Sequence, residues 1–175
     1  MKIHSESRIP YPAALVYAAY RDRLPEVAPY IPDIGSITVV AREQTPGGVK
    51  LHNRWKADRE IPAIVQRFLT PEMLCWDDYA EWFDAKRDCS WRLSIPALPD
   101  QVQCKGHNTF IEDGDQTRVV LTGELTIQAD RVPGVPRILA RRLAPQIEKF
   151  IVQLITPNLQ KVNDSLGAFL DAQQG

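Results

Sequence analysis

The feature that most constrains this chain is a change of hydrophobic period late in its length. From about residue 34 to 127, apolar side chains fall on alternate positions. The pattern is clearest where Cys89, Trp91, Leu93 and Ile95 are separated by Ser90, Arg92 and Ser94, and again at Val119, Leu121, Leu125 and Ile127. Alternation gives each strand one dry and one wet side. From Arg137 to about residue 170 the spacing becomes three and four, through Ile147, Phe150, Ile151, Leu154 and Ile155 and on to Leu159, Val162 and Leu166. One-sided strands and a long amphipathic helix each need cover, and each can supply it to the other.

The remaining elements fit that frame. Ile3 to Ile9 alternate as an opening strand, and Pro12 suits the first turn of a helix predicted over 12–24. Pro25, Pro29 and Pro32 leave room for one short helical turn near 26–30. Thr45-Pro-Gly-Gly48 reads as a hairpin turn, Asp113-Gly-Asp115 as another, and Gly123 as a bend. Pro145 and Pro157 should kink or divide the last helix. The prediction is an α+β, single-domain chain over 1–175: a curved antiparallel sheet of about seven strands wrapped around a long C-terminal helix, with room between them for an apolar guest.

Composition narrows the function. A charged fraction of 25% and a hydrophobic fraction of 44% match a folded globular chain. No apolar run approaches the roughly 20 residues of a membrane span, and MKIHSESRI lacks a secretory core, so a soluble cytoplasmic protein is expected, an organellar location remaining open. A net charge of −1 argues against nucleic acid as a partner. Cys75, Cys89 and Cys104 lack metal or disulfide spacing and read as small buried hydrophobes. His4, His52 and His107 are dispersed, and no nucleophile elbow or phosphate loop occurs, so no metal and no cofactor is expected.

Several stretches carry competing readings. Ile61, Ile64, Val65, Phe68 and Leu69 have the spacing of a short one-faced helix, either core packing or a mobile lid over a cavity. Arg54 shares strand parity with Lys50, His52 and Lys56, which suits a solvated face; turned inward, it would need a carboxylate or phosphate beside it. Asp77 and Asp78 are adjacent on a strand, so they face opposite ways and make a poor catalytic dyad. Arg131, Arg137, Arg141 and Arg142 form a run without an acid, which suits either a solvated helix start or transient contact with an anionic membrane surface. Trp82, Trp91, Phe110 and Tyr79 suit a core, or the wall of a ligand site.

The element order, with a helix after the first strand and a long helix last, resembles the START-like (SRPBCC) helix-grip superfamily, beginning with MKIHSESRIPYPAALVYAAYRDRL. The stretch VVAREQTPGGVKLHNRWKADREIPAIVQRFL is similar to the hairpin and lid region of PRELI-type lipid transfer proteins. That resemblance implies a nonenzymatic carrier of a lipid or other hydrophobic small molecule, including an anionic phospholipid. Arg23, Arg54 and Lys161 would stand at head-group positions, Leu154 where the family has another basic residue, and residues 61–69 would form the lid. Trp91 and Phe110 complete the candidate ligand-binding set, and no protein partner is indicated. A polyketide cyclase or aromatase-like enzyme on the same fold is the alternative, expected to have a polar-lined pocket with an acid or base converging on one spot. A third reading is an assembly module with a filled core.

Overall fold

The structure, a computed structural model, describes residues 1–174. Seven strands are joined wholly antiparallel: β1 (Lys2–Ile9), β2 (Ile34–Thr45), β3 (Gly48–Ala57), β4 (Cys75–Phe83), β5 (Asp88–Ser94), β6 (Val102–Asp113) and β7 (Gln116–Ile127), in the order β1-β7-β6-β5-β4-β3-β2. The first two strands in sequence lie at opposite edges. The chain crosses between them through α1 (Ala13–Asp22), α2 (Leu24–Val27) and a 3-10 turn (Ala28–Tyr30). The last helix, α3 (Arg137–Gln174), lies against the sheet and buries Ile147, Phe150, Ile151, Leu154, Ile155, Val162 and Leu166. This is the helix-grip, START-like fold that the sequence predicts.

Two local expectations are overturned and one is narrowed. Pro145 and Pro157 do not divide α3, which runs unbroken for 38 residues. Residues 61–69 form no helix but a chain of turns, held by bonds from the Val65 N–H to the Pro62 carbonyl and from the Phe68 and Leu69 N–H groups to the Val65 carbonyl. Nine residues cannot sustain a helix whose stripe is only partly covered: Val65 and Leu69 are buried, Ile61 and Phe68 partly so, and Ile64 is 60% exposed. Of the cysteines, Cys89 and Cys104 are buried, whereas Cys75 is half-buried on the outer face.

One inward side chain is seated in a notch of the sheet. Trp91 on β5 faces inward, and Gly106 and Gly123, paired across β6 and β7, leave the notch in which its indole lies. A β-carbon on Gly106 would stand 2.3 Å from both the indole Cζ2 and the Thr122 carbonyl; on Gly123 the nearest atoms would be 3.1 Å away. Gly106→Ala should therefore cost about 3 kcal/mol and Gly123→Ala only about 1 kcal/mol. Urea denaturation of the two variants tests that order, and equal losses would rule out the notch as the cause.

Candidate functional site

Where α3 passes over the middle strands, the interior is not completely filled. A cavity is lined by Trp55 of β3, Trp76, Asp78, Ala80 and Trp82 of β4, Cys89, Trp91 and Leu93 of β5, Asn108 of β6 and Tyr20 of α1, with Ile155, Asn158, Leu159 and Val162 of α3 as its lid side. All four tryptophans of the chain are in this wall. They arrive there by strand parity: Trp76, Asp78, Ala80 and Trp82 are alternate residues of β4, and Trp55 faces Trp76 across the β3–β4 ladder, their rings stacked at 5.7 Å.

Its volume is about 40 Å³. That admits a few waters; a benzene-sized guest occupies a cavity nearer ~150 Å³. A ring-sized guest does not fit the space as it stands.

Asp78 is the one ionisable carboxyl in this wall. It is 8% exposed, and the Asn53 Nδ2–H donates to its Oδ2 at 3.3 Å. Burial raises its pKa to about 6, against the opposing pull of Asn53, the Trp55 indole N–H and His52. The Trp55 N–H lies close enough to act on the carboxyl, yet it makes no well-formed hydrogen bond, and the Trp82 N–H has no partner. Nearby, the Trp91 N–H donates to Asn108 Oδ1 at 2.9 Å. Burial pushes the Tyr20 hydroxyl well above its ordinary pKa, with the charges of Asp78 and Cys89 reinforcing and Asn108 opposing, so Tyr20 stays a neutral donor.

The residues singled out from sequence are scattered by comparison. Trp91 lines the cavity. Phe110 lies behind the wall, edge-on to Tyr17 and Tyr20, and Leu154 is buried in the α3 core. Arg23 is on the surface, paired with Glu26 and lying 4.6 Å over the Phe169 ring. Arg54 follows its parity to the outer face, where Nε and Nη2 donate to the two carboxylate oxygens of Asp77 at 2.9 and 3.1 Å. Asp77 also meets His52 at 2.9 Å; burial works to raise its pKa, but Arg54 and His52 outweigh it and hold the pKa below the usual range. Lys161 is half-buried on α3 and does not line the cavity. No lysine, arginine or histidine is among the residues in that wall.

The residue that sequence reasoning misses is Asp78. Its signal is an acid at inward parity in an otherwise apolar strand, and the neighbouring Asp77 masks it by making the two look like a failed dyad.

The segment 58–70 touches α3 at one informative point. Pro157 has no N–H to offer the Gln153 carbonyl four residues earlier, and the Arg59 Nη1–H takes its place at 2.7 Å.

No protein-family model matches the chain, and no curated protein matches it in sequence. Solved structures match in fold. A Thermus thermophilus protein, TTHA0849, superposes with a TM-score of 0.68 at 24% identity, over 100% of both chains. The Zhui aromatase/cyclase of Streptomyces sp. R1128 gives 0.66 at 18% identity, over 99% of this chain and 95% of that one. Norcoclaurine synthase of Thalictrum flavum, solved with dopamine and hydroxybenzaldehyde, gives 0.61 at 14% identity, over 100% and 88%.

Native Asp78 holds its proton to higher pH than the same group in the unfolded chain. The folded state therefore binds the extra proton between about pH 4 and pH 6, and stability contributed by this residue falls as pH rises through that window. Asp78→Asn should gain roughly 2–3 kcal/mol over the parent at pH 7 and little at pH 3.5. Urea melts of both proteins across that range test it; a constant difference would show that Asp78 titrates normally.

Proposed function

We propose that this chain binds a flat, largely apolar small molecule, neutral or cationic and carrying a hydrogen-bond donor, between the curved sheet and α3. The observation that carries this reading is the union of four indoles with a single buried carboxyl in one cavity wall. Indoles offer broad apolar faces to a ring, and Asp78 offers it a strong acceptor. In water-poor surroundings that acceptor fixes orientation, while an anionic guest would be repelled. Among proteins of this fold, one neighbour is named an aromatase/cyclase and another was solved with two aromatic molecules, which supports a flat guest here.

Carriage of an anionic phospholipid, as in PRELI-type proteins, is less well supported. Its head group would need cations, but Arg23 and Arg54 are engaged by acids on the outside and the cavity wall holds none. Residues 61–69 retain a lid role in this reading, although as a turn-rich strap. Ligand entry separates the strap from α3 by releasing Arg59 from the Gln153 carbonyl.

One observation favours a second, enzymatic reading. A carboxyl with a pKa of about 6 beside neutral Tyr20 and Asn108 can exchange a proton with a guest near neutral pH, as a cyclase-like reaction requires.

The binding test is titration with 2-naphthol, a neutral flat phenol, read by tryptophan quenching and calorimetry at pH 7.5. Saturable binding is expected, weakened about tenfold by Asp78→Asn, a neutral acceptor in place of a charged one, and abolished by Leu159→Trp, which fills the cavity. Arg59→Ala should speed ligand release severalfold. Absence of quenching together with transfer of phosphatidic acid between vesicles would replace this reading with the phospholipid one.

A further inference from the structure

The first turns of α3 present a combination that the cavity does not use. Ala140, Leu143 and Ile147 point into the protein and fix the buried side of the helix. The opposite side carries Arg137, Arg141 and Arg142, with Ile138 between them, since positions three and four ahead of residue 138 flank it on the helix surface. Ile138 is 93% exposed, more than any other large apolar side chain described, and Leu139 beside it is 39% exposed. Arg131 ends the 3-10 turn Ala129–Arg131, which packs against α3 and adds a fourth guanidinium to this end of the molecule.

Among the described residues none of these four arginines forms an ion pair or a side-chain hydrogen bond, whereas Arg21, Arg23, Arg42, Arg54, Arg87 and Arg118 all do. Asp130 is the one acid within the stretch 130–147. The chain thus leaves four cations unneutralised around an uncovered isoleucine, in a protein whose net charge is only −1. A polyanion such as nucleic acid would satisfy the guanidiniums but offers no apolar layer for Ile138. The surface of an anionic bilayer offers both, phosphate and carboxylate groups above and hydrocarbon a few ångströms below.

We infer that the start of α3 is a docking surface for anionic membrane, with Ile138 inserted below the head groups and Arg131, Arg137, Arg141 and Arg142 lying among them. The contact is peripheral and reversible, because one isoleucine and four guanidiniums reach no deeper than the boundary between head groups and acyl chains. This surface stands apart from the cavity residues, so it holds or fails independently of what the cavity binds.

Flotation with phosphatidylcholine vesicles containing about 30 mol% phosphatidylserine tests it, with pure phosphatidylcholine vesicles and duplex DNA as the comparisons. Binding to the anionic vesicles only is expected. It should weaken about fivefold for each arginine changed to Gln and about tenfold for Ile138→Asp, and fall steeply with salt. The altered side chains are exposed, so unchanged circular dichroism and melting temperature will confirm that the variants fold. No flotation with the anionic vesicles would overturn the inference. So would flotation that Ile138→Asp leaves unchanged and duplex DNA competes away, since that marks a general polyanion patch.

Discussion

The inner face of this sheet can leave water only if α3 lies along it, and the rest of the molecule follows from that packing. Seven antiparallel strands, with tight turns only at β2–β3, β4–β5 and β6–β7, give a surface with one apolar side and no second sheet to cover it. α3 covers part of that surface, and α1 covers another part through Tyr17 and Tyr20, which pack on Trp82 and Phe110. A curved sheet and a straight cylinder do not match everywhere. The mismatch is greatest over the middle strands, where the four indoles line a gap instead of closing it.

That gap includes a group that weakens the fold. Enclosing the Asp78 carboxyl among aromatic rings disfavours its charged form, and a single 3.3 Å bond from Asn53 does not compensate. A purely structural core would hold an apolar residue at this parity, as β4 does at Trp76, Ala80 and Trp82. On the outer face, by contrast, Asp77 is fully served by Arg54 and His52. Two neighbouring aspartates thus have opposite circumstances because a strand turns successive side chains to opposite sides.

Much of this was legible in the sequence through period alone. The strand parity of Arg54 put it outside, and the same rule separated Asp77 from Asp78. The change to a period of three and four located α3, whose core residues Ile147, Phe150, Ile151, Leu154 and Ile155 are buried as the spacing required. Period failed over 61–69, where a helical pattern was written on a strap too short and too loosely covered to become a helix. The cavity was legible only as an expectation of the architecture. Which residues line it depends on how far β3 to β6 curl, a property set by long-range fit such as the Trp91 notch and not by any local stretch.

The backbone ladder of the helix above the cavity is interrupted at one place. Pro157 removes the backbone bond to the Gln153 carbonyl, the buried Asn158 side chain competes for the Leu154 carbonyl at 2.7 Å, and the Thr156 hydroxyl is buried without a partner. Pro157 and Asn158 thus weaken the backbone ladder in the turn that supplies Ile155, Asn158, Leu159 and Val162 to the cavity wall. An unbroken helical ladder resists bending through every backbone bond, but here one of them is replaced by a guanidinium from a surface strap. A long helix needs to bend only slightly at such a turn to move four wall residues outward together. Arg59 thus ties the 58–70 segment to the same turn of α3 that supplies the helical side of the cavity.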